Sequence, residues 1–265
     1  MNTKLTLAAL CLLPLSTQFA MAEEAPEKPA LTMSAELGFL FKSGNTKSGD
    51  LKAGFNLKHE QDQWLNVFAI NAIAKKLEEE NDDGEKEFVS TDNKWDLTAQ
   101  TNYSLEQDGK NYLYGSLAYQ QDKFSGFVSQ SSLSVGWGRK WYKTETSSFF
   151  ADIGPGVTHD VHRSKGASGT PAYVAETSDT NAIIQAQALY TNQLNEFVEF
   201  KQYLVAKQAF ESDKNSIYKS ETSLTAKLMD SLQFKFALRV DYDTEVDAEY
   251  ENTNTETSVT LVYSF

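Results

Sequence analysis

The sequence predicts an all-β fold, a transmembrane antiparallel up-and-down β-barrel of about twelve strands. Three observations carry that prediction. Long segments alternate apolar and polar residues with the period of two that a strand imposes. The last segment, Ser258-Val259-Thr260-Leu261-Val262-Tyr263-Ser264-Phe265, ends the chain on an aromatic residue, as the closing strands of bacterial outer-membrane barrels do. Connections between segments alternate long with short, as strands running up and down a membrane require.

The chain opens with the marks of an exported protein. Lys4 supplies a positive start, residues 5–15 form a short apolar core, and Ala20-Met21-Ala22 is an A-x-A cleavage site. Residues 1–22 are therefore read as a cleaved signal peptide and 23–265 as the barrel, placed in the bacterial outer membrane. Cys11 does not make a lipoprotein site, because Leu10 precedes it where a small residue is needed. Cleavage removes this one cysteine, and with it any disulfide or thiol nucleophile.

Taken in order, the strands vary in clarity. Leu31, Met33, Ala35, Leu37, Phe39 and Phe41 alternate with Thr32, Ser34, Glu36, Gly38 and Lys42. Leu51, Ala53, Phe55 and Leu57 alternate with Lys52, Gly54, Asn56 and Lys58, and Trp95 to Tyr103 repeats the pattern. Around Leu133, Val135 and Trp137 the other face is serine and glycine, and Tyr218 to Leu228 opposes apolar residues to Lys219, Glu221 and Lys227. Leu232 to Tyr242 is the clearest, with about the eleven residues of a tilted membrane-crossing strand, where a soluble sandwich would use about five or six. Segments near 64–75, 111–121, 148–158, 181–192 and 197–208 have a blurred period.

Long connections are predicted at 43–48, 77–93, 122–127, 159–180, 209–215 and 243–256, with short turns between the other strand pairs. A secreted lipocalin-like or jelly-roll domain would show the same repeat with its apolar face inward. Strand length, the terminal Phe265 and the asymmetry of the connections favour the membrane barrel.

Composition narrows the partners. The net charge is −13 at pH 7, from 24 basic and 37 acidic residues. A nucleic-acid partner would require a basic stripe, so none is expected. The mean hydropathy of −0.46 is compatible with a barrel, in which only alternate strand residues meet lipid.

Ser43-Gly44-Asn45-Thr46 follows the first strand. Asp122-Lys123-Phe124-Ser125-Gly126-Phe127 precedes the strand carrying Val135-Gly136-Trp137-Gly138-Arg139, and Gly154-Pro155-Gly156-Val157 comes later. In this order the segments resemble the YdiY-like family, a group of unknown function labelled as salt-induced outer-membrane proteins. Ser43, Gly44, Asn45, Thr46, Asp122, Phe124 and Gly126 carry the resemblance. It implies an outer-membrane barrel and transfers no catalytic residue. Gly44 and Asn45 also suit a tight hairpin, because both tolerate positive φ.

Parity places many charges in the lumen. Lys52, Lys140, Lys201, Lys219, Lys227, Lys235 and Arg239 are the basic candidates, with Lys42, Lys58 and Lys207; Glu199, Glu221 and Asp241 are the acidic ones, with Glu36, Asp96 and Asp152. The predicted lumen is net basic. Two readings stay open: a narrow pore passing small anionic solutes, or a barrel plugged by its own charge network in a structural or salt-stress role.

The acidic loops 78–87 and 243–251 lack calcium-loop spacing and read as a solvated rim, facing lipid and lipopolysaccharide. The assembly machinery for barrels is the partner expected for the C-terminal strand. His159 and His162, three apart in an extended segment, face opposite sides and share no ligand. His162-Arg163-Ser164 lies in a predicted loop, too loose a support for a hydrolase. No metal site, cofactor or enzymatic activity is expected.

Overall fold

Alternation along each strand becomes a closed wall in the computed structural model, which describes residues 30–42, 48–80, 86–106, 109–122, 125–164, 174–246 and 251–265. The predicted signal peptide, Ser43 to Thr46 and Phe124 lie outside the described residues.

Twelve strands follow one another: β1 (Leu31–Lys42), β2 (Ser48–Gln61), β3 (Trp64–Glu80), β4 (Lys86–Ser104), β5 (Asn111–Asp122), β6 (Phe127–Lys143), β7 (Ser147–His162), β8 (Thr177–Gln193), β9 (Val198–Ala209), β10 (Ile217–Lys227), β11 (Leu232–Asp243) and β12 (Thr253–Ser264). Each pairs antiparallel with its sequence neighbours, and β12 returns to β1 to close the barrel. Ala35 faces Tyr263 and Leu37 faces Leu261 at this seam. Phe265 completes it, exchanging backbone hydrogen bonds with Met33 at 3.0 and 3.3 Å. Closure leaves no strand edge exposed, which a hydrocarbon environment demands.

The faces sort in the opposite way to a soluble protein. Leu37, Phe39, Leu117, Leu133, Val135, Ile153, Phe236 and Leu261 are exposed on the outside. Glu36, Ser116, Ser134, Thr158, Ser258 and Thr260 are buried on the inside. Apolar side chains therefore form the outer surface and polar ones the core, which excludes the lipocalin-like reading. Aromatic pairs lie towards both ends of this surface. Trp64 packs on Tyr103 at 4.9 Å near the short connections, and Tyr218 on Tyr242 at 6.2 Å near the long ones. Such amphipathic rings belong at membrane–water interfaces.

Two strand pairs reach further than the periodicity predicts. β3 and β4 pair out to Glu80 and Lys86, and β7 and β8 out to His162 and Thr177. Most of the segment predicted as connection 77–93 and both ends of 159–180 are therefore ladder. The sequence there is polar on both faces, so backbone pairing continues without any alternation to reveal it. The short turns, between residues 61–64, 104–111, 143–147, 193–198 and 227–232, fall where predicted.

The interior of β6 and β7 is lined by glycine at two close approaches. Gly138 lies under the Tyr112 ring, where an added Cβ would sit 2.2 Å from a ring carbon. Gly136 and Gly154 face each other so closely that a Cβ on Gly154 would meet the Val135 carbonyl oxygen at 2.0 Å. Tyr112 thus covers the surface that glycine leaves bare, the arrangement by which aromatics stabilise glycine in sheets.

Candidate functional site

The lumen is where this chain concentrates its chemistry, and its side chains meet across it. Arg239 on β11 donates Nη1 to Asp96 Oδ1 on β4 at 3.0 Å, five strands away around a ring of twelve. Its Nε donates to Asp241 Oδ1, also at 3.0 Å. Lys94 on β4 crosses the same gap to Asp241 at 3.3 Å and reaches Asp122 on β5 at 3.4 Å.

Further bridges stack beside these. Lys219 on β10 donates to Gln120 on β5 at 2.5 Å, and Gln130 on β6 donates to Asp243 on β11 at 2.9 Å. Lys207 on β9 donates to Ser132 on β6 at 2.7 Å. Gln187 on β8 meets Gln100 on β4 at 2.6 Å, and both reach Asp152 on β7. Tyr203 donates to Gln187 at 2.8 Å and Tyr112 to Asp152 at 3.2 Å. Strands nearly opposite each other are thereby tied together at several levels.

Shorter links fill the rest of this level. Lys235 lies between Glu221 at 3.2 Å and Glu36 at 3.4 Å, and Lys52 meets Glu256 at 2.7 Å and Ser258 at 3.2 Å. Low dielectric strengthens such pairs, and breaking one by removing a single partner leaves a buried charge without compensation.

The predicted lumen residues divide into two groups. Lys52, Lys219, Lys235, Arg239, Glu221 and Asp241 belong to the network. Lys201, paired with Glu199 at 3.6 Å, and Lys227, paired with Asp230 in the β10–β11 turn at 2.9 Å, stand half-exposed at the mouth bearing the short connections. There the hydrogen bond from Lys227 holds the Asp230 carboxyl below its ordinary range. Lys140 also lies at this mouth, next to a register shift in β6.

The predicted net basic lumen requires correction. Among the described residues, Glu36, Asp50, Asp122, Asp152, Asp160, Asp241 and Asp243 are buried acids, against the buried bases Lys52 and Lys207. Lys94, Lys219, Lys235 and Arg239, with Lys58, Lys140, Lys201 and Lys227 at the mouth, do no more than balance them, because Asp96, Glu199, Glu221 and Glu256 are there too. The missed acids, Asp122, Asp160, Asp243 and Glu256, occupy strand ends that the sequence pattern assigned to connections. Their inward orientation had no periodic signal.

The Asp122–Phe127 segment acquires a local explanation. Arg163 Nη2 donates to the Asp122 and Phe127 carbonyls at 3.0 Å each, and Nε to the Ser125 carbonyl at 3.4 Å. The Ser125 hydroxyl accepts from the Phe127 N–H at 3.3 Å. Phe127 is buried, with its ring 4.9 Å from that of His162. Arg163 is thus a clamp that sequence reasoning missed, since nothing in the spacing links positions 122 and 163. Gly126 contributes its carbonyl, which accepts from the Arg163 N–H at 3.0 Å.

His159 and His162 lie on strand β7 rather than in a loop. His159 points outward and shares a 2.8 Å hydrogen bond with Thr180, whereas His162 turns inward to Asp179 at 3.2 Å. On the outer wall, Trp137, Trp141, Leu204, Tyr218 and Tyr242 surround a concave apolar surface of about 580 Å³ floored by Ala151, Ala186 and Ala206.

Comparison with known proteins agrees with this architecture. The uncharacterized protein YdiY of Escherichia coli K12 is 23% identical over 245 residues, covering 92% of this chain and 87% of that one. The crystal structure of the COG4313 outer membrane channel from Pseudomonas putida F1 superposes with a TM-score of 0.50 at 12% identity, covering 91% of this chain and 97% of that one. The translocator domain of the autotransporter NalP from Neisseria meningitidis gives a TM-score of 0.51 at 8% identity, covering 90% and 89%. These two structures share the barrel fold. The family described as "Protein of unknown function, DUF481" matches residues 35–265, and the chain belongs to that family.

Proposed function

We propose that this protein is an integral outer-membrane barrel whose lumen is closed by its own side chains. Its role on this reading is structural: a wall element of the envelope, suited to osmotic or salt stress, with no enzymatic activity. The observation that carries it is the pair of cross-lumen contacts, Arg239 to Asp96 and Lys94 to Asp241, between strands five apart around the ring. Side chains that touch across the interior narrow the lumen at that level, which supports the closed reading. The exposed aromatics Tyr263 on β12 and Phe265 just after it fit recognition by the assembly machinery, and the acidic outer connections fit a lipopolysaccharide surface bridged by divalent cations.

A narrow pore is the second reading. Thr98, inward-facing on β4, is solvent-exposed, and Lys58, Lys201 and Lys227 stand half-exposed at the short-connection mouth. Solvent therefore enters the barrel from that side, and the local lysines would favour small anions. Swelling of liposomes containing the refolded protein separates the two readings. A closed barrel gives no swelling with small sugars or carboxylates. Rapid swelling with carboxylates, faster than with neutral sugars of the same size, would establish the pore.

A further inference from the structure

At the end bearing the long connections, β7, β8 and the β9–β10 and β11–β12 connections enclose a small cavity of about 150 Å³. Asp160, Asp179, Asp213 and Glu245 line it, with His162, Lys214 and Asn215. Asp160 and Asp179 are direct register partners on β7 and β8, a cross-strand placement that is unfavourable for two like charges.

Asp179 is compensated, by Lys214 at 3.2 Å and His162 at 3.2 Å. Asp160 is not. It is 1% exposed, and neither carboxylate oxygen has a hydrogen-bond donor in place. The Asn215 amide beside it is directed to Asp243 Oδ1 at 2.8 Å, and the Asn215 carbonyl oxygen accepts from the Glu245 N–H at 3.2 Å. Lys207, a cation inside the barrel, donates to Ser132.

A buried carboxylate whose oxygens are both unpaired costs free energy that a bound donor would remove. We infer that this cavity is a binding site for a small cation carrying a primary ammonium group. Space for roughly five water molecules is enough for such a head group. Its three N–H donors match the carboxylates of Asp160, Asp213 and Glu245 that line the cavity. Among the described residues no three acidic or histidine side chains converge as a metal site, so the arrangement suits hydrogen bonding rather than coordination.

The test is titration calorimetry on the refolded full-length barrel in detergent, with ethylammonium chloride, calcium chloride and tetramethylammonium chloride as probes. The site predicts saturable ethylammonium binding that Asp160→Asn weakens by about tenfold or more, and no saturable binding of tetramethylammonium, which has no N–H to donate. Asp213→Asn, a change in an exposed connection that leaves the barrel wall intact, should weaken ethylammonium by a smaller factor. Absence of saturable ethylammonium binding to the wild type overturns the inference. So does binding of equal strength in Asp160→Asn, or calcium binding that ethylammonium cannot displace.

Discussion

Arg239 makes two charged contacts, one across the lumen with Asp96 and one along its own strand with Asp241, and its side chain is 15% exposed. Replacing it by glutamine leaves two acids facing each other in the lumen. Arg239→Gln should destabilise the barrel by ~3–5 kcal/mol in urea unfolding from lipid vesicles. The double variant Arg239→Gln/Asp96→Asn should recover part of that loss. By contrast, Lys227→Gln at the solvated mouth should leave the unfolding midpoint unchanged. At the same scale, Gly138→Ala pushes a methyl group into the Tyr112 ring. It should cost ~1–3 kcal/mol, and Tyr112→Ser in the same chain should relieve most of it. Gly154→Ala meets the Val135 backbone instead, so no side-chain substitution should rescue it.

Strands were legible wherever one face meets lipid and the other does not. β1, β11 and β12 are found where alternation places them, because an outward Leu, Phe or Val and an inward Ser, Thr or charge leave a period of two. β3 is harder to read, since Ile73 is buried inside the barrel beside polar neighbours. Beyond the apolar belt both faces are wet, the period disappears, and β3, β4, β7 and β8 continue without sequence warning. The inside–outside map makes a testable contrast. Val135→Arg on the outer face of β6 should cost ~2–4 kcal/mol in folding into vesicles, as lipid-facing charges near the midplane do. Thr98→Arg, inward and solvent-exposed on β4, should cost far less.

For the whole molecule, twelve strands, closure and polarity of the interior followed from length, period and the last residue. What the lumen does was not legible, because parity gives the side on which a residue lies and not its partner across the gap. The contacts of Arg239 with Asp96 and of Lys94 with Asp241 span more than 140 positions in sequence. Their existence depends on how far the barrel draws its opposite walls together. The same limit concealed the buried acids Asp122, Asp160 and Asp243, which lie at strand ends. A barrel with this interior is held from within by its own charges as well as by the surrounding lipid.

The central claim, a lumen closed by side chains from opposite walls, is tested most directly by single-channel recording in a planar bilayer. The wild type is compared with Arg239→Ala/Lys94→Ala after insertion of both has been verified. The account predicts a silent wild type and discrete conductance steps in the double variant, which lacks the two cations that meet acids across the lumen. Steps of equal size in both proteins would contradict it and make this barrel a pore.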